Sequence, residues 1–148
     1  MNLFFLLLAF LIGITNTVQS GVNAQLRESL GNPMLAAICS FAGGLIIVSM
    51  VFVIFNQYPV PSLQEVKQIH WTRFLGGLCG AFYVLTVIFI VRDIGAANML
   101  CLVVAGQMIA AMTIDHYGFQ GFAVHHIPMP RVAGACLLIA GVYLIVKN

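Results

Sequence analysis

The chain has 148 residues, 61% of them hydrophobic and 7% charged, with a net charge of +2 and a mean hydropathy of +1.05. A soluble domain keeps about a quarter of its residues charged, so this chain cannot cover itself with a hydrated surface and reads as an all-α integral membrane protein. Its six Lys and Arg are scattered, with no basic run and no aromatic–basic interleaving, which excludes a nucleic-acid partner.

The first apolar run, 3–26, is long enough to span with some tilt, since a crossing helix needs about 20 residues at 1.5 Å each. Inside it lies ITNTVQSGVN, Ile14 to Asn23. At about 100° per residue, Gln19, Ser20 and Asn23 fall within roughly 60° of Asn16, forming one polar stripe. Buried amides without partners are costly in hydrocarbon, so the stripe faces either a wet substrate path or another helix that it holds. Val22-Asn23-Ala24 has the small outer residues of a signal-peptidase site. No basic residue precedes the run and its core is not purely apolar, so cleavage is not expected. Arg27, Glu28, Gly31, Asn32 and Pro33 form a short polar hairpin, Gly31 suiting a helix end and Pro33 a helix start.

The second run, 34–55, contains Gly43-Gly44. A hydrophilic stretch from Asn56 to Thr72 follows, with an interfacial helical turn expected at Leu63 to Ile69 and Trp71 at headgroup level. The third run, 74–91, opens with Gly76, Gly77 and Gly80, of which the first and last give a GxxxG spacing for close helix approach. Arg92 and Asp93 are expected to neutralise each other at a turn so short that runs three and four form a hairpin. Run four, 96–114, carries Asn98 and, near its middle, Gln107. After Asp115-His116-Tyr117-Gly118 and a loop with His125 and His126 comes the last run, 132–146. There Gly134 and Gly141, flanked by Ala133 and Ala140, give a smooth packing face. The four cysteines fall one each in four runs with no CxxC pair, as small buried apolar residues do.

Five spans make one membrane domain over 1–148 with its termini on opposite sides. With the N-terminal side called A, the A-side segments hold Lys67, Arg73 and Arg131, and the B-side segments hold Arg27, Arg92 and Lys147. Three against three leaves no bias to orient the chain under the positive-inside rule. An unbiased chain inserts both ways up, which permits an antiparallel homodimer; an oppositely oriented homologue as partner is the alternative. Inverted repeats with solute bound between them near the midplane are a common transporter plan. No repeat is visible within the chain, so a second copy would supply the symmetry.

The elements GITNTVQSGVNAQL, GNPMLAAICSFAGG, FLGGLCGAFYV, DIGAANML, AGQMIAAMTIDHYGFQG and RVAGACLLIAGVYLI, in that order along nearly the whole chain, resemble the YdcZ-type five-helix membrane proteins. That family belongs to the drug/metabolite transporter superfamily, with the small multidrug resistance transporters. The resemblance implies half of an inverted-repeat, ten-helix transporter, completed by dimerisation in a bacterial inner membrane. The family-like positions are Gln19, Asn23, Gly106, Gln107, Asp115, His116 and Gly118. The small multidrug resistance pattern has a glutamate in its first helix for exchanging protons against cations; this chain has only amides and hydroxyls there.

The candidate solute contacts are therefore Asn16, Gln19, Asn23 and Gln107, with Tyr83, beside Phe82, as an aromatic wall for an organic amine. Asn16 lies within about 3 Å of the middle of its run and Gln107 is similarly central, at 1.5 Å per residue. Amides without fixed charge suit a small polar, neutral or zwitterionic solute. Asp115 with His116 is a candidate coupling or gating pair; the alternative is that Asp115 orders the turn before Gly118. Asp115, His116, His125 and His126 match no common zinc spacing, and no Ser or Cys has a base placed by sequence. No metal, cofactor or catalytic residue is expected. A non-transporting subunit that assembles with another membrane protein is the competing function.

Overall fold

A computed structural model describes residues 2–121, 124–125 and 127–147, and the regular structure among them is helical. Helices α1 (Leu3–Leu30), α2 (Pro33–Phe55), α3 (Leu63–Gln68), α4 (Leu75–Ile94), α5 (Ala96–Tyr117) and α6 (Met129–Lys147) follow in order. A 3₁₀ turn, Trp71–Phe74, leads into α4, and another, Phe119–Gly121, follows α5. Among the described residues, five segments are long and apolar enough to cross a membrane: α1, α2, Trp71–Ile94, α5 and α6.

Each span runs past the apolar run that announced it. A hydropathy run stops at the first charge, whereas a helix stops only where its backbone does. Thus α1 takes in Arg27 and Glu28 and ends at Gly31, whose φ of 63° is the left-handed conformation that glycine adopts at a helix end. Asn32 then accepts from the Met34 and Leu35 N–H groups, and Pro33 takes the first position, where its missing N–H costs nothing. Gly95 alone, at φ 82°, joins α4 to α5. The short α3 is closed by a capping box: Ser62 N–H donates to Glu65 Oε2 at 2.7 Å, and Glu65 N–H returns to Ser62 Oγ at 3.3 Å. At 1.5 Å per residue, α1 with 28 residues is about 42 Å long and α6 with 19 is about 28 Å.

The chain divides into two compact units, Met1–Arg92 and Asp93–Asn148. In the first, α1 and α2 form an antiparallel hairpin, and α4 runs parallel to α1 because their C-terminal ends meet. The core is Ala36 and Ala37 of α2 against Val84 and Ile88 of α4, with Leu26, Tyr83 and Leu85 around it. The two small alanine side chains leave room for Ile88 to be fully buried against them. All of this packing lies in the B-side half. Residues 3–15 of α1, 44–55 of α2 and 71–79 before and within α4 are exposed on every face.

Arginines lock the B-side end. Arg27 Nη1 donates to the Ile88 and Phe89 carbonyl oxygens at 2.7 and 3.0 Å, with its guanidinium 5.8 Å from the Phe89 ring centre. In return Arg92 of α4 forms an ion pair with Glu28 of α1 and reaches the Ala24 carbonyl. The expected Arg92–Asp93 neutralisation is replaced by this pair, since adjacent residues on a helix point about 100° apart. In the second unit α5 and α6 pack antiparallel. Asp115 at the end of α5 meets Arg131 at the start of α6, with Oδ2 to Nη1 at 3.2 Å.

Among the described residues, nothing packs closely on Gly43, Gly44, Gly76, Gly77, Gly80, Gly134 or Gly141, the glycines expected to serve helix packing. A Cβ built on any of them meets no neighbouring atom within 4 Å among the described residues. Their open faces are available to lipid or to another chain. Cys39, Cys79 and Cys136 are exposed rather than buried, and all four cysteines are free thiols.

Candidate functional site

The stripe of α1 separates into a buried part and an exposed part. Ser20 and Asn23 are 3% and 5% exposed, Asn16 and Arg27 are half-buried, and Ala24 is buried beside them. These five residues share one face, centred about 25° from Asn16 on the helical wheel. Gln19 lies about 85° from that centre, at the edge of the face, and is exposed.

Asn16 Nδ2 donates to the Tyr83 hydroxyl oxygen at 2.8 Å, so two residues 67 apart in sequence are brought together. This is the A-most polar link between α1 and α4; beyond it the flanking segments are exposed. Tyr83 is half-buried at that point, while its neighbour Phe82 is 73% exposed.

The hydroxyls and amides in the spans are treated differently. Thr15, Thr17, Ser20 and Thr113 each return their hydroxyl to the carbonyl four residues earlier, at 2.8, 3.0, 2.9 and 2.8 Å. A hydroxyl on a short side chain satisfies itself in this way wherever its helix is placed. An amide on a longer side chain does not reach its own backbone so readily. Gln19 and Gln107 are both exposed, and neither side chain has a hydrogen-bond partner among the described residues. Gln107 occupies the centre of α5, midway between Ala96 and Tyr117. The Asn23 residue is only 5% exposed, and its side chain likewise has no hydrogen-bond partner among the described residues.

At the C-terminal end of α5, Asp115 joins two interactions. Its carboxylate pairs with Arg131, and its backbone carbonyl accepts from the His125 N–H at 2.8 Å. Gly118 closes α5 at φ 64° three residues later. The carboxylate is 37% exposed. His116 stands edge-on to Tyr117, with ring centres 4.9 Å apart, and carries the helix's last-turn positive charge when protonated. The segment is a tied helix end. His126 lies outside the described residues.

Two apolar grooves flank the polar groups without containing them. One, of about 540 Å³, lies between α2 and α4 against Ile38, Phe41, Leu45 and Leu85. The other, of about 340 Å³, lies between α5 and α6 against Leu100, Val104, Leu138 and Val142. Asn16, Gln19, Asn23 and Gln107 line neither. Sequence reasoning missed the Arg27–Arg92 lock. The signal was present: Arg27 stands eleven residues after Asn16, about 20° round the wheel, so the polar face continues to it.

Residues 4–144 match the family described as “Putative inner membrane exporter, YdcZ”. The inner membrane protein YdcZ of Escherichia coli (strain K12) is 28% identical over 146 residues, covering 97% of this chain and 96% of that protein. No solved structure matches.

Proposed function

The chain belongs to the YdcZ family of integral inner-membrane proteins, and from that premise we propose that it is a secondary transporter working by alternating access as an antiparallel, dual-topology dimer. The family is one of exporters by description, not of enzymes. The observation that carries the reading is the pair of unpartnered amides, Gln19 and Gln107, near the middle of their spans. Leaving an amide without a partner in hydrocarbon costs about 4–8 kcal/mol on the alkane scale, which a lipid-facing surface does not offset. Such groups belong against water, solute or another chain.

In this reading Asn16, Gln19, Asn23, Tyr83 and Gln107 border the solute path and the second copy completes it. A solute with donors and acceptors exchanges hydrogen bonds with these amides without leaving a bare charge in the membrane. Small neutral or zwitterionic polar solutes, or organic ones of modest polarity, fit this chemistry. The balanced count of three Lys/Arg on each side supports two orientations. Inverted symmetry would then come from two copies of one chain, as it comes from two repeats in longer transporters. Asp115 acts in this scheme by holding the A-side end of α5 to α6 through Arg131.

A second reading has its own observation. The Asn16–Tyr83 bond and the burial of Ser20 and Asn23 are what a seam holding α1 to α4 requires. A non-transporting membrane subunit would need nothing more. Proteoliposomes loaded with labelled amines, amino acids and sugars separate the two. Flux of at least one class above empty vesicles is expected; none for any class favours the subunit. A cysteine tag in the 56–70 segment, probed with an impermeant reagent, should label from both sides of the membrane. Labelling from one side alone would remove the homodimer and require an oppositely oriented partner.

A further inference from the structure

We infer that the two copies cross at the middle of α5, where Gln107 of one chain meets Gln107 of the other on the twofold axis. This deepens the antiparallel-dimer reading and depends on it. A twofold axis in the membrane plane turns each depth into its opposite. Only residues at the midplane can then meet their own copies. Gln107 is such a residue, because α5 runs from Ala96 to Tyr117 and its midpoint falls between positions 106 and 107.

Three further observations agree on that spot. Gln107 is exposed and its side chain has no hydrogen-bond partner among the described residues, so its amide is free to serve another chain. An amide carries both a donor and an acceptor, so it is its own complement, which an isologous contact demands. The turn that follows it is also small. Gly106, Ala110 and Ala111 are exposed, and a Cβ on Gly106 would meet nothing within 4 Å. A second helix backbone can therefore come close enough for the two amides to bond. Bulky lipid-facing residues at these positions would have held it away.

The inference fixes a register. If Gln107 faces Gln107, positions equally far on either side face one another in opposite order: Val103 of one chain lies beside Ala111 of the other. Both lie about 40° from Gln107 on the wheel and about 6 Å from it along the axis. A parallel dimer would instead place Val103 beside Val103 and Ala111 beside Ala111.

The test uses the full chain with Cys39, Cys79, Cys101 and Cys136 replaced by Ala, in native membranes under mild oxidation. Gln107→Cys alone should form a disulfide-linked dimer. Differently tagged Val103→Cys and Ala111→Cys chains, expressed together, should link to each other, while neither links to itself. Self-linking at 103 and at 111 would overturn the inference and, with it, the antiparallel dimer. No link at 107, in a chain that still labels from both sides of the membrane, would overturn the crossing point alone. As a second measurement, Gln107→Leu in the unmodified chain should weaken dimerisation roughly 3- to 20-fold, the range for interhelical side-chain hydrogen bonds in membranes. An unchanged dimer fraction would count against the amide contact.

Discussion

Replacing Tyr83 by Phe removes one oxygen and leaves the shape of the α1–α4 contact intact. The Asn16 amide then loses its partner at 2.8 Å, in a half-buried site. Interhelical hydrogen bonds in membranes average about 0.6 kcal/mol and reach about 1.7. An orphaned amide adds a desolvation penalty, so Tyr83→Phe should cost about 1–2 kcal/mol of unit stability. Asn16→Leu should cost less, about 0–1 kcal/mol, because the phenol it leaves behind is a smaller loss than a bare amide. The double variant should be less destabilised than the sum, giving a coupling of about 1 kcal/mol. Reversible unfolding by SDS titration in mixed micelles, followed by helix circular dichroism, measures all four corners of the cycle. A coupling below about 0.3 kcal/mol would refute the claim that this bond holds the two helices, since that is within the additivity error of independent sites. Transport normalised to folded protein adds the functional arm. A seam without a path role predicts unchanged flux per folded molecule in Asn16→Leu; a path role predicts a loss.

Arg27→Lys keeps the charge but loses the planar fork on the Ile88 and Phe89 carbonyls, and should cost about 1–2 kcal/mol in the same titration. Arg27→Ala should cost more and also leave three A-side against two B-side positive charges, so loop-tag labelling should shift toward one orientation with side A cytoplasmic. Asp115→Asn should lower stability by about 0.5–1 kcal/mol, the range for an exposed pair, and leave the pH dependence of transport unchanged; a shifted pH profile would restore the coupling role. The Ser62 backbone N–H and then the Ser62 hydroxyl hold the Glu65 carboxyl below its ordinary value of 4.5. A lowered folded value means that the cap's contribution is complete above 4.5 and fades as pH falls through the lower value. Protection factors across Leu63–Gln68, with the intrinsic pH dependence of amide exchange divided out, should therefore fall below about pH 4.5 and stay level there in Glu65→Gln.

The number of spans and their order were legible because about 20 consecutive apolar residues have few other meanings. Their ends were not. Arg27, Arg92 and Asp115 each looked like the end of a membrane run, yet each lies inside a helix. Arg27 and Arg92 have partners in another helix over 60 positions away, and Arg131 lies beyond a loop from Asp115. Hydropathy records a charge but not its counterpart. The polar face of α1 was legible from its period, whereas its neighbour Tyr83 was visible only as an aromatic in a Phe-rich chain. Gln19 looked like an equal member of the stripe, although a 60° offset from Asn16 is enough to carry it past the edge of the packed face. The glycine spacings suggested places for close approach, and among the described residues nothing comes within 4 Å of a Cβ built there. What approaches them is not in a single chain, so no pattern within the sequence could name it.

The unequal lengths of α1 and α6 carry a consequence for where the protein can work. A typical bilayer presents about 30 Å of hydrocarbon, so α6 is matched with almost nothing to spare, while α1 has about 12 Å in excess. Thickening the membrane with longer acyl chains would first submerge the ends of α6, pulling Arg131 and Lys147 toward the oil, while α1 would merely stand more upright. Thinning it would increase the lean of α1 and, through the arginine lock at its end, take α4 with it. Acyl-chain length is thus a lever that acts on the two units through different helices, and reconstitution in a series of lipids from thin to thick would pull on them separately.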